Sequence, residues 1–209
     1  MVGRRVRTMS TWRRLAGKGI YPVEYASWLL SPLRHLVTPP GRIADRLELS
    51  STDHVLEVGC GPGYFSPVIA KRLSSGRLIL FDVQPPMLDL ATARMRSRRL
   101  TNFACACGDA RRLPFGDNTF DVVMMVTALG EVGDPIASIR EAARVLRPNG
   151  RLSITEALGD PDRVRLSQLD QLTVHAGLAR DRRWRGVLLS TNNFRKLPAR
   201  APVQTDPAP

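Results

Sequence analysis

Val55-Leu56-Glu57-Val58-Gly59-Cys60-Gly61-Pro62-Gly63-Tyr64-Phe65-Ser66 (VLEVGCGPGYFS) is the stretch that decides how this 209-residue chain folds. Apolar residues lead into one acid, Glu57. Three glycines follow at alternate positions, Gly59, Gly61 and Gly63, and an apolar run from Phe65 to Leu73 comes next. The pattern predicts a buried strand, a tight glycine turn and a helix N-terminus. Glycine lets the backbone approach a ligand closely and take φ > 0 without steric cost. A helix start adds free N–H groups and a partial positive charge. The stretch therefore reads as a nucleotide or nucleoside site, or as a tight strand–helix turn that holds nothing. A dinucleotide fingerprint would run G-x-G-x-x-G. Here the third position is Tyr64, too bulky for close helix–strand packing, and the third glycine comes one residue early.

Working outward, Arg77 to Phe81 (RLILF) reads as a second buried strand ending at Asp82. That acid stands about 20 residues past the turn, where a βαβ nucleotide fold places the carboxylate that accepts from ribose hydroxyls. The other reading of Asp82 is a cap on the helix that Pro85-Pro86-Met87-Leu88 opens. A third apolar run, Asn102 to Cys107, leads into Gly108-Asp109-Ala110. Leu113 to Val126 (LPFGDNTFDVVMMV) supplies a fourth strand, and Arg140 to Glu156 (REAARVLRPNGRLSITE) a helix, a turn and a fifth. Strands alternating with helices imply a parallel sheet covered on both faces. Ligands in such sheets bind beyond the carboxyl ends of the strands, at the topological switch point. Glu57, Asp82, Asp109 and Thr127 all fall there, which argues for one site.

The run Glu57 to Gly63 (EVGCGPG) resembles motif I of the class I S-adenosylmethionine-dependent methyltransferases. Asp109-Ala110, the Leu113 to Asp121 segment (LPFGDNTFD) and Arg140 to Glu156 resemble later landmarks of that family in the same order. The resemblance runs from about Pro39 to Lys196 and is nearest to the methyltransferase type 11 set, related to the ubiquinone and menaquinone biosynthesis methyltransferases. It implies a Rossmann-like, doubly wound seven-stranded α/β sheet in the order 3-2-1-4-5-7-6, with strand 7 antiparallel. It implies S-adenosylmethionine as cofactor. Glu57, Gly59 and Gly61 would line the methionine moiety, Asp82 would hold the ribose, and Asp109 with Ala110 would meet the adenine. Cys60, Gly63, Val83, Gly108 and Thr127 complete the implied cofactor-binding set, and Met87 packs on the adenine or in the core. On the acceptor side stand Thr127, Glu131 and Glu156. Either acid is a general base, or Glu131 is a solvated loop acid and Glu156 a strand-end hydrogen-bond partner. The implied reaction is methyl transfer to a small-molecule or lipid-like acceptor. Competing readings are a non-catalytic S-adenosylmethionine-binding regulator and a nucleic-acid methyltransferase. The second lacks the Asn/Asp-Pro-Pro-Tyr/Phe signature after strand four, where Val126-Thr127-Ala128-Leu129 stands.

Net charge is +12, carried by 28 Arg against 3 Lys. So strong a skew points to genome base composition more than to a nucleic-acid partner. The arginines are spread, and aromatics at 6% do not interleave with them as a stacking platform would. Solvated faces are the first reading, with peripheral contact to an anionic membrane second. No apolar run reaches the roughly 18 to 20 residues that span a bilayer, and no apolar signal core follows the basic N-terminus. Cys60, Cys105 and Cys107 are too few and too poorly spaced for a disulfide framework or a four-ligand zinc site. Cys105 and Cys107 read as small buried residues beside the adenine pocket. A reducing cytoplasm suits this usage.

The organisation expected is a basic extension with a lid helix over 1–38, the methyltransferase domain over 39–197 and a Pro- and Ala-rich disordered tail over 198–209. Tyr21 to Val37 suits an amphipathic helix through Tyr25, Trp28, Leu29, Leu33 and Leu36, interrupted at Pro32, which is ended by Pro39-Pro40. A short helix is expected from Arg42 to Leu49. Asp134-Pro135 and Asp160-Pro161 read as helix starts. Two strands near Leu178 to Arg180 and Val187 to Phe194 close the chain. His35, His54 and His175 are scattered and read as structural or exposed.

Overall fold

A computed structural model describes residues 19–31, 34–157, 160 and 162–198. The basic extension before residue 19, the tail after 198, and Pro32, Leu33 and Pro161 lie outside the described residues.

Seven strands form one sheet: β1 (His54–Val58), β2 (Arg77–Asp82), β3 (Phe103–Cys107), β4 (Phe120–Val126), β5 (Leu146–Ala157), β6 (Leu178–Arg185) and β7 (Leu189–Lys196). Their order is 3-2-1-4-5-7-6, with β7 antiparallel to both β5 and β6, as the family resemblance implies. The inner strands are parallel and in simple register, Leu56 beside Ile79 on one side and Val123 on the other. Central parallel strands are covered on both faces and so read as continuous apolar runs. Alternate side chains then feed two cores. Leu56, Val58, Phe81, Val123 and Ile154 pack on one side with Ile139, Ala142 and Leu169. Val55, Leu80 and Met124 pack on the other with Ile43, Ile69, Ala91 and Met95. Each such fully buried aliphatic side chain stabilises the fold by about 1.5–3 kcal/mol.

The helices covering the sheet are α1 (Ala26–Leu29), α2 (Arg34–Val37), α3 (Pro40–Arg46), α4 (Ser66–Arg72), α5 (Pro85–Ser97), α6 (Pro135–Val145) and α7 (Leu166–His175). Asp134 caps α6 as expected, its Oδ1 accepting from the Ala137 N–H at 3.0 Å. Four local expectations are corrected. The amphipathic helix expected over Tyr21 to Val37, with its interruption at Pro32, is reduced to a 3-10 turn (Val23–Tyr25) and the short α1 and α2, with Trp28 and Leu36 exposed. These pieces lie as a strap across the strand ends, tied at Tyr21 to Glu131 and Gln84. Pro40 begins α3 where it was expected to end a helix, because the first helical turn needs no N–H from that residue. Asp160 starts no helix: it accepts from the Asp162 N–H in a local turn, and α7 opens five residues after Pro161, at Leu166. Cys105 and Cys107 are exposed, because β3 is an edge strand.

Candidate functional site

The Gly59–Gly63 turn joins β1 to α4, and its geometry explains the glycines. Gly59 sits at φ +69°, and a Cβ there would lie 2.6 Å from Ala128 Cβ in the loop after β4. Gly63 sits at φ +75°, with Ala91 of α5 only 3.1 Å from where a Cβ would be. The early third glycine thus lets the turn pack closely on α5. The N–H groups of Gly59 and Cys60 are taken by the Phe81 carbonyl. The Gly61 N–H donates to Asp82 Oδ2 at 2.9 Å.

Asp82 is therefore gripped from two sides, because its Oδ1 accepts from the Gln84 N–H at 2.9 Å. The residue in the cap position of α5 is Gln84, which settles the helix-cap alternative against Asp82. Burial pushes the Asp82 carboxyl up, and the N–H groups of Gln84, Gly61 and Val83 pull it back down. An ionised carboxylate has about four acceptor positions. Two are used, and the rest remain for donors in the adjoining cavity.

That cavity, of about 220 Å³, opens at the carboxyl ends of β1, β2 and β4. Its lining includes Gly59, Cys60, Gly61, Asp82, Val83, Gly108, Asp109, Ala110, Thr127 and Glu131, ten of the thirteen residues singled out from the sequence. Met87 joins them, fully buried. Asp109 lies near the surface with its carboxylate forked by Arg111, which holds its pKa below the ordinary value. Thr127 takes φ +51°, an unusual conformation for a β-branched residue, and its N–H is held by the Thr155 carbonyl. Cys60 is buried, and its thiol is pushed well up by burial and by the nearby Glu57 and Asp82.

Three expected residues stand elsewhere. Gly63 packs on Ala91. Glu57 lies behind the turn, outside the cavity lining, where Ser66 Oγ donates to it at 2.6 Å. Burial raises its carboxyl to about 7, Asp82 adds to the rise and the Ser66 bond opposes it. Glu156 is also outside the lining and 3% exposed. Neither of its carboxylate oxygens has a hydrogen bond among the described residues. Burial, helped by Asp160, raises it to about 8.

Glu131, by contrast, faces the cavity, and its Oε2 accepts from the Tyr21 N–H at 3.0 Å. Burial lifts it to about 7, against the pull of that N–H. The strap is held again where Gln84 Nε2 donates to the Tyr21 carbonyl at 2.9 Å. It brings Ile20, Tyr21, Leu29 and Arg34 into the wall, and Tyr64 and Phe65 join them from the turn. Sequence reasoning did not single out Tyr21, Arg34, Tyr64 or Gln84. Only the position of the expected lid could have pointed to the first two. His54 and His175 take no part, and His35 reaches the site only through Tyr64, 2.9 Å from its hydroxyl.

The arrangement suits an adenosine-bearing cation: an oriented carboxylate, an acidic surround from Asp82, Asp109 and Glu131, and an apolar wall. Among the described residues no group of three or more metal-ligating side chains assembles. No described helix is long and apolar enough to cross a membrane.

Comparison with known proteins agrees with this geometry. A family model described as a methyltransferase domain matches residues 55–150. A demethylmenaquinone methyltransferase from Lactiplantibacillus plantarum is 35% identical over 119 residues, covering 56% of this chain and 50% of that protein. A ubiquinone/menaquinone biosynthesis C-methyltransferase from Cellvibrio japonicus is 38% identical over 104 residues, 49% of this chain and 42% of that one. The chain thus spans half or less of the length of these curated relatives. A crystal structure of a SAM-dependent methyltransferase from Aquifex aeolicus superimposes with TM-score 0.79 at 21% identity, over 85% of this chain and all of that one, which shows the shared fold.

Proposed function

We propose that this chain is a class I S-adenosylmethionine-dependent methyltransferase, a reading supported by the matching methyltransferase domain, the relatives and the shared fold, and that it transfers the methyl group of that cofactor to an apolar small-molecule or lipid-like acceptor. The observation that carries the reading is Asp82. Its carboxylate is fixed by the Gly61 and Gln84 N–H groups at the end of β2, with acceptor capacity left for a ribose diol. Gly108 and Ala110 offer close-packed walls for a purine, and Met87 a thioether face. When bound, S-adenosylmethionine supplies a methyl carbon already activated by its sulfonium.

The chain's own contribution is then orientation, exclusion of water and, where the acceptor is protonated, removal of a proton. Alignment by itself can be worth roughly 7 to 11 kcal/mol. Val58, Phe81, Met125, Val126 and Val132 make the wall apolar, and the strap closes over it. Glu131 is the candidate base: it lines the cavity and titrates near 7, so its ionised form is abundant at neutral pH. Glu156, which lies outside the lining, has no part in this reading. The apolar wall and the quinone-directed relatives favour an aromatic or isoprenoid acceptor. The free thiols of Cys60, Cys105 and Cys107 suit the cytoplasm.

The test is calorimetric binding of S-adenosylhomocysteine to the wild type and to Asp82→Ala, followed by transfer of labelled methyl from S-adenosylmethionine to a panel of apolar phenols and hydroquinones. Asp82→Ala should weaken binding about 10- to 100-fold, the range for hydrogen bonds to a charged group. A folded wild type that binds no S-adenosylhomocysteine would sink the reading.

A further inference from the structure

The cavity wall contains a guanidinium that the reaction does not account for. Arg34 comes from α2 of the strap and sits with its Cζ 4.7 Å over the Tyr64 ring and 5.3 Å from the Phe65 ring. Nη1 donates to the Leu29 carbonyl at 3.0 Å. Leu29 in turn lies over the glycine turn, its Cδ1 3.8 Å from where a Cβ on Gly61 would be. The guanidinium is thereby fixed beside the turn on two aromatic faces. Among the described residues no carboxylate lies within ion-pair distance of it, whereas the other cavity arginine, Arg111, is forked onto Asp109. Glu131 and the two tyrosines act on Arg34 only at longer range, and burial disfavours its charge. A half-buried cation of this kind, with most of its five donors unspent, is a binding group waiting for an anion.

The surround narrows the anion. Asp82 and Glu131 line the same cavity and would repel a doubly charged phosphate. A carboxylate carries a single charge, matches the guanidinium fork, and in an amino acid brings an ammonium that the acids can receive. We propose that Arg34 is the carboxylate-recognising residue of this site, and that the carboxylate is the one on the amino-acid half of the cofactor. This rests on the methyltransferase reading. An acidic acceptor is the other source of the same chemistry.

The experiment compares wild type, Arg34→Met and Arg34→Lys, after thermal melts have shown that the variants are folded. Methionine keeps the stem that packs on Tyr64 and removes the fork. Three probes are titrated by calorimetry: S-adenosylhomocysteine, 5′-deoxy-5′-methylthioadenosine (which lacks the amino-acid end), and benzoate added to protein saturated with S-adenosylhomocysteine. The expected result is a loss of about 10- to 100-fold for S-adenosylhomocysteine in Arg34→Met, a smaller loss in Arg34→Lys, and a change under threefold for the methylthio nucleoside. Unchanged nucleoside binding with loss of benzoate binding assigns the carboxylate to the acceptor. Equal losses for both nucleosides, or no change for any probe, overturn the proposal. A wild type that binds neither nucleoside overturns the cofactor reading itself, a failure distinct from that of Arg34.

Discussion

Glu156 provides the sharpest test of the electrostatics, through replacement by glutamine. The side chain is buried at the end of β5 beside Ser190 of β7, and its carboxylate oxygens have no hydrogen bond among the described residues. Its carboxyl is raised from 4.5 to about 8, first by burial and then by Asp160. An acid with a raised folded-state pKa takes up its proton more readily when folded. Its contribution to stability is therefore complete below about 4.5 and is lost as pH rises through 8. A rise from 4.5 to about 8 is worth a few kcal/mol at most. Local opening and entry of water lower that to about 2 kcal/mol. Glu156→Gln removes the ionisation and keeps the shape. Urea denaturation at pH 5, 7 and 9 should show the variant gaining on the wild type by about 2 kcal/mol between the first and last pH. Binding of S-adenosylhomocysteine should be unchanged, since Glu156 does not line the cavity. A stability difference that stays flat across that range, or a variant that loses ground at pH 9, would refute the reasoning.

Other expectations follow from the same geometry. Asp82→Ala should cost S-adenosylhomocysteine affinity about 10- to 100-fold with little change in melting temperature, read by calorimetry and thermal denaturation. Glu131→Gln should lower the rate on a protonated acceptor by about 10²- to 10⁴-fold. It should also abolish the rise in wild-type rate as pH passes through about 7, measured as a pH–rate profile; a variant with the wild-type profile would leave Glu131 only as the strap's anchor. Gly59→Ala forces a Cβ to 2.6 Å from Ala128 Cβ at φ +69° and should destabilise the protein by about 2–4 kcal/mol in urea denaturation.

The strand–turn–helix at Val55–Ser66, the acids ending β1 and β2, and the order of the later strands were legible because they are local. A buried strand must be apolar on both faces, a turn with φ > 0 selects glycine, and a carboxylate at a strand end shows as a polar residue closing an apolar run. Asp134-Pro135 was legible for the same reason, since an N-cap bonds within its own first turn. Asp160-Pro161 carried the same letters without the outcome, because the Asp160 carboxylate turns back onto the Asp162 N–H. Which acids face the cavity was not legible. Glu57 and Asp82 both lie near strand ends, yet Ser66 takes one behind the turn while the Gly61 N–H presents the other to the cavity. Glu131 and Glu156 were equal candidates in sequence, and only the positions of the loop after β4 and of the strap separated them. The exposure of Cys105 and Cys107 depends on β3 being an edge. Arg34 is one arginine among 28 in the sequence. Its place over Tyr64 and Phe65 depends on the strap crossing the strand ends, a contact between residues about thirty positions apart that no local periodicity records. The sequence by itself thus determined the scaffold and the glycine turn beside the cavity, where each residue answers to its neighbours in the chain. The tertiary structure alone decided which charges meet inside the cavity, because side-chain direction and burial depend on distant segments.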